Sequence, residues 1–219
     1  MTSTAKPPAM TRRPTRHTLV AAALLAASAS ALAQSASLTG QSLLGDVIPW
    51  GDGVALSTAA AASGEAPLSG SDALLFDALE AGLGLPAGTL PEDVIEGSAF
   101  RLRFTLDAPA RVGFDWALNT LETDPAFADR AFVQVDGGAL QWLASAGPAL
   151  RSGRFSHTFA SAGAHALTIG VVDVGDVAGL SVLSAEGLAV SAVPEPASLA
   201  LLLAGLGGVG AAVRRRHAG

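Results

Sequence analysis

Phe100-Arg101-Leu102-Arg103-Phe104-Thr105-Leu106 alternates apolar and polar side chains at every step. Successive side chains of a strand point to opposite faces, so this run reads as a strand with one buried and one wet face. The same period returns in Val112, Phe114 and Trp116, spaced by Gly113 and Asp115. Between the two runs, Asp107-Ala108-Pro109-Ala110 has turn composition, so a hairpin is expected. Residues 131–135 and 139–143 flank Asp136-Gly137-Gly138, which suits the positive φ angles of a tight hairpin turn. Residues 154–159 and 165–172, around the small-residue stretch 160–164, predict a third hairpin. Residues 180–183 and 188–192 close the set. Short strands with turn signals at regular intervals predict a mainly β chain, an antiparallel β-sandwich of jelly-roll type.

Outward from the strands, the signals change. Ser71 is placed to cap a short helix, with Asp72 in its first turn and Leu74, Leu75, Ala78 and Leu79 at helical spacing, ending at residues 82–86. Residues 34–70 show no period and read as an irregular segment, with the sandwich spanning 71–192. Residues 119–130 read as a surface loop.

The 219-residue chain is half hydrophobic and 15% charged, with a mean hydropathy of +0.44. That is too apolar for a disordered protein. With 13 basic against 19 acidic residues, a basic nucleic-acid binder is excluded. The absence of cysteine excludes disulfides, thiol nucleophiles and cysteine zinc sites.

Much of the hydropathy sits at the two ends. Lys6, Arg12, Arg13 and Arg16 precede an apolar run over 18–30, and Ala31-Leu32-Ala33 has small residues at the cleavage positions. Residues 1–33 therefore read as a secretory signal peptide cut after Ala33 by signal peptidase. Arg12-Arg13 also fits a twin-arginine signal, although Pro14-Thr15 follows them. At the other end, residues 197–213 carry no charge and are just long enough for one transmembrane helix. Arg214, Arg215 and Arg216 follow it; such a cluster stays cytoplasmic and leaves the body of the chain outside. With the ends set aside, residues 34–196 hold six arginines and all 19 acidic residues, a net charge of −13.

Pro194-Glu195-Pro196, the Gly- and Leu-rich apolar helix and the terminal arginines together resemble the PEP-CTERM sorting signal. The sorting tail would then be residues 193–219. The resemblance implies export through the inner membrane of a Gram-negative bacterium and a membrane-anchored intermediate. It further implies recognition by an exosortase, loss of the tail, and a final place at the cell surface or outside. It also implies a host that makes extracellular polysaccharide. The middle of the chain is similar to a recurring group of PEP-CTERM ectodomains. Leu85-Pro86-Ala87-Gly88-Thr89-Leu90, Glu96-Gly97-Ser98-Ala99, Phe114-Asp115-Trp116, Asp124-Pro125-Ala126-Phe127, Ala131-Phe132-Val133 and the run from Gly170 to Asp176 carry that similarity. Relatives usually end on a Leu-Asp-Asn-Val-like strand, where this chain has Gly187-Leu188-Ala189-Val190. No activity transfers with the resemblance.

The residues themselves offer little catalytic chemistry. There is no Gly-x-Ser-x-Gly elbow, no His-Glu-x-x-His and no phosphate-binding loop. His157 and His165 fall in expected strands and read as structural. No spacing singles out a glycosidase pair among Asp115, Asp124, Asp129, Asp136, Asp173 and Asp176. Asp173-Val174-Gly175-Asp176 offers two carboxylates around a turn glycine, and the Asp124 to Asp129 loop can add more, so Asp173 and Asp176 are the candidate calcium ligands, in competition with plain turn aspartates. No other cofactor is indicated. Trp116 follows the core period, whereas Trp50 and Trp142 are the aromatic residues available to stack on a sugar. The expectation is an exported, noncatalytic cell-surface or matrix protein whose ligand the sequence does not name, with exopolysaccharide as the candidate. The alternatives are a secreted polysaccharide hydrolase or a purely structural surface protein.

Overall fold

The computed structural model describes residues 36–122, 124–193 and 203–206. Its strands are β1 (Ala36–Leu44), β2 (Val47–Trp50), β3 (Gly53–Ser57), β4 (Leu74–Leu75), β5 (Val94–Leu106), β6 (Ala110–Thr120), β7 (Arg130–Val135), β8 (Gln141–Ser145), β9 (Arg151–Phe159), β10 (Gly163–Val174) and β11 (Ser181–Ala192). The helix α1 (Phe76–Leu83) lies between β4 and β5. The first sheet has the order β1-β5-β10-β7-β8, with β4 also on β5, and the second has the order β2-β3-β11-β6-β9. Every pairing is antiparallel. The chain crosses repeatedly from one sheet to the other, as in a jelly roll.

The alternation in β5 does what its period requires. Phe100, Leu102, Phe104 and Leu106 face inward and meet Val112, Phe114 and Leu118 of β6, Leu167, Ile169 and Val171 of β10, and Leu56 and Leu183. Phe114 packs against Phe155 with ring centroids 5.1 Å apart. Each such large side chain contributes about 1.5–3 kcal/mol when fully buried. A smaller cluster lies against the other face of the first sheet: Leu79 and Leu83 of α1 cover Ala99, Phe132, Val172 and Val174. Strand β10 is therefore covered on both faces along its second half, which explains its continuous apolar run.

Several expectations change. The segment 34–70 is not irregular: it contributes β1, β2 and β3, so the sandwich begins at Ala36 rather than at 71. Its signal was faint because β1 is an edge strand with mostly exposed side chains. Helix α1 starts after Leu75, which pairs with Glu96 in the sheet, and Ser71 does not cap it. Gly84, at φ 65°, ends it in the left-handed conformation. The β7–β8 hairpin forms as expected, with Asp136 at φ 51° and Gly137 at φ 69°. The other two expected hairpins are arches instead. β5 and β6 lie in different sheets, as do β9 and β10. A turn sequence closes a hairpin and an arch alike; the choice is made by which faces need covering. The expected pair at 180–192 is the single strand β11, with an irregularity between Glu186 and Ala189.

Among the described residues no helix is long and apolar enough to cross a membrane. The expected signal peptide over 1–33 lies outside the described residues, and so does the transmembrane segment 197–213 apart from 203–206, which are helical.

Candidate functional site

One end of the sandwich gathers acid. Val172 of β10 pairs with Arg130 of β7 and with Gly97 of β5. One step further, the core-facing positions are Asp173 on β10, Asp129 just ahead of β7, and Glu96 on β5. They continue the inward rows of Val171, Ala131 and Ser98. All three are buried, with 1%, 0% and 5% of their surface exposed, respectively. Each keeps a carboxyl oxygen without a partner: Asp173 Oδ1, Asp129 Oδ2 and Glu96 Oε1. The other oxygen of Asp129, Oδ1, accepts from the Val174 amide at 3.2 Å.

Two other buried acids mark the contrast. Asp46 accepts from the Ser57 hydroxyl and from the Leu68 and Ser69 amides. Glu80 accepts from the Gly88 and Leu90 amides at 2.9 and 2.6 Å. Amide donors can stabilise a buried carboxylate, and among the described residues the trio has one, the Val174 amide.

The electrostatics follow. Burial pushes the Asp173 carboxyl up to about 8, with Asp129, Glu96, Asp176 and Glu65 adding repulsion. Burial pushes Asp129 up to about 7, against hydrogen bonds from Ser181 and the Val174 amide that pull it down. Glu96 is raised by burial, then by Glu65 and Asp72. Among the described residues no basic side chain pairs with the trio. Arg130 turns away to Asp93 at 2.8 Å, and Arg154 faces Asp115 at 3.6 Å.

The outer face of the second sheet is different. Ala55, Ser184 and Ala117 lie side by side across β3, β11 and β6, and Ile48 extends the row onto β2. These small residues floor a groove of about 320 Å³ walled by Trp50, Leu68, Leu150 and Asn119. Trp50 is 54% exposed at its rim.

The structure separates the two proposed calcium ligands. Asp173 faces Asp129 and Glu96 inside, whereas Asp176 is partly exposed and caps its own turn through the Ala178 amide at 3.2 Å. The negative charge of Asp176 still reaches Asp173. Among the described residues no three acidic or histidine side chains are arranged to hold a metal ion. The sequence offers the Asp124 to Asp129 loop without distinguishing its members; in the structure Asp129 is buried, whereas the exposed Asp124 caps the turn Pro125–Phe127. The two carboxyls raised most are sealed from solvent, so a polysaccharide chain has no access to them.

His165 Nδ1 meets Asp136 Oδ2 at 2.9 Å, and its ring lies against Phe159 and Phe104. His157 packs on Phe159. Trp116 is partly buried against the core. Trp142 is 42% exposed and lies under the Arg130 guanidinium, 5.7 Å from its ring centre. Ala31, Ala33, Pro194, Glu195, Pro196, Arg214, Arg215 and Arg216 lie outside the described residues.

Comparison with solved structures finds the secreted serine protease VesC from Vibrio cholerae, at 12% identity and a TM-score of 0.38 over 77% of this chain. This chain spans 26% of the length of that protease. A structure of TmCBM61 in complex with β-1,4-galactotriose is 10% identical, with a TM-score of 0.29, covering 72% of this chain and 86% of that one. The N-terminal cellulose-binding domain of Cellulomonas fimi β-1,4-glucanase C is 10% identical, with a TM-score of 0.30, covering 71% and 91%. Likenesses this distant say nothing about what the present chain binds. No curated protein matches it. Its tail is another matter: residues 192–216 match the PEP-CTERM protein-sorting motif. The chain thus carries the sorting signal of exported surface proteins that pass through a membrane-anchored stage to an exosortase.

Proposed function

We propose that this protein is a noncatalytic surface component of a Gram-negative bacterium that holds extracellular polysaccharide on the outer face of its second sheet. Signal peptidase cuts after Ala33 and an exosortase acts at Pro194-Glu195-Pro196, leaving the sandwich as the mature body. The observation that carries the polysaccharide reading is Trp50. Its half-exposed ring borders a trough floored by alanine and serine, and Asn119 of β6 also lines that trough. A flat ring covers the apolar face of a sugar, and an amide bonds its hydroxyls. The net negative body suits a neutral glycan better than an acidic one.

Affinity electrophoresis of the purified protein through gels containing neutral glycans tests this. Retardation by at least one glycan, lost in Trp50→Ala and kept in Trp142→Ala, is the expected result. Equal migration of wild type and Trp50→Ala through every glycan tried overturns it. Release of new reducing ends from a retained glycan would favour the hydrolase alternative.

A further inference from the structure

Two aspartates on adjacent strands rarely share a dry compartment. A buried carboxylate needs a counter-charge, several hydrogen-bond donors or a proton. Asp46 and Glu80 have their donors; Asp129, Asp173 and Glu96 each keep an oxygen with no partner. Glu65, Asp72, Glu122 and Asp176 all add to the repulsion, and among the described residues the nearest guanidinium, Arg130, pairs with Asp93 instead. What fits such a place is a cation from solution.

We propose that this end of the sandwich binds a calcium ion, anchored by the carboxylates of Asp129 and Asp173. This goes beyond the polysaccharide reading and does not depend on it. Asp129 and Asp173 each adjoin the Arg130–Val172 pair that ends the β7–β10 ladder, and the Val174 amide, next to Asp173, reaches Asp129 Oδ1 at 3.2 Å. Calcium accepts six to eight oxygens in adaptable geometry, mixing carboxylates, hydroxyls, carbonyls and water. The Ser181 hydroxyl, which donates to Thr120 Oγ1 at 2.8 Å and helps to offset the rise at Asp129, lies on the facing sheet. No three acidic groups converge on one point among the described residues. Capture therefore requires the carboxyl groups to swing toward the ion, and the three unpartnered oxygens have no bond to lose in doing so. Zinc is disfavoured because the trio includes no histidine, and His165 is engaged with Asp136 at the far end of β10. Magnesium is disfavoured because it keeps a water shell that a dry compartment does not supply.

The test uses the full chain, purified in detergent and stripped with a chelator. Calcium chloride is then titrated by calorimetry, and melting is followed with and without it. Saturable one-site uptake and a higher Tm in calcium, with a much smaller effect of magnesium, are expected. Asp173→Asn and Asp129→Asn should each weaken calcium binding by about tenfold or more (about 1.4 kcal/mol). Asp136→Asn, at the far end of β10, should leave calcium binding unchanged. Wild type that takes up no calcium and melts at the same temperature with and without it overturns the proposal. Undiminished calcium binding in both Asn variants does so too. If the variants do not fold, the wild-type titration alone decides.

Discussion

Gly170 of β10 and Phe132 of β7 are cross-strand partners, and the Phe132 ring occupies the space where a Gly170 side chain would stand. Phe132 is fully buried in the cluster beneath α1, so it has no free direction in which to retreat. Gly170→Ala should destabilise the fold by about 1–3 kcal/mol through overpacking. Pairing it with Phe132→Leu should recover part of that loss. Chemical denaturation of the single and double variants checks this. Additive losses would mean the two residues are not coupled.

Glu80 holds the segment after α1 by accepting from the Gly88 and Leu90 amides. Glu80→Ala leaves both amides without that partner and should cost about 2–3 kcal/mol. Glu80→Gln keeps an acceptor oxygen and should cost less. Thermal melting of the two variants side by side checks the order.

Buried carboxyls give the fold a pH dependence of definite sign. Asp129 and Asp173 are raised from 3.8 to about 7 and about 8. Between those limits the folded chain keeps protons that the unfolded chain has released. Rising pH therefore favours unfolding, and the contribution of this pair to stability declines from about pH 4 until both are ionised. In chelator, Tm should fall between pH 5 and pH 8, and Asp173→Asn should flatten that fall. Calcium should flatten it as well, because the ion stabilises the ionised form. Melting curves across this range, with and without calcium, provide the check. A Tm that rises over the interval would contradict the burial of these groups.

What the sequence revealed depended on how local the physics was. The β5 alternation was legible because half-burial imposes period two on seven consecutive residues. The β7–β8 turn was legible because Asp136 and Gly137 both adopt positive φ, which few residues tolerate. The arches were not, since a turn at Asp107-Ala108-Pro109 says nothing about which sheet the next strand joins. Strand β1 was missed because an edge position asks little of its side chains. Strands β2 and β3 were missed because Val47, Val54 and Leu56 give too short a pattern. The acidic end was half legible. Asp173 and the loop ending at Asp129 stood out, but Glu96 did not; Asp129 and Glu96 lie 44 and 77 positions from Asp173 in the chain, and only the fold brings them to it.

The sorting account is tested most directly by the intact mass of the protein from its native cell, taken separately from the membrane, surface and medium fractions. The account predicts a surface or medium species that begins at Gln34 and ends near Pro196. A single membrane-bound species retaining residues 197–219 in every fraction would contradict exosortase processing and make the chain a simple anchored protein.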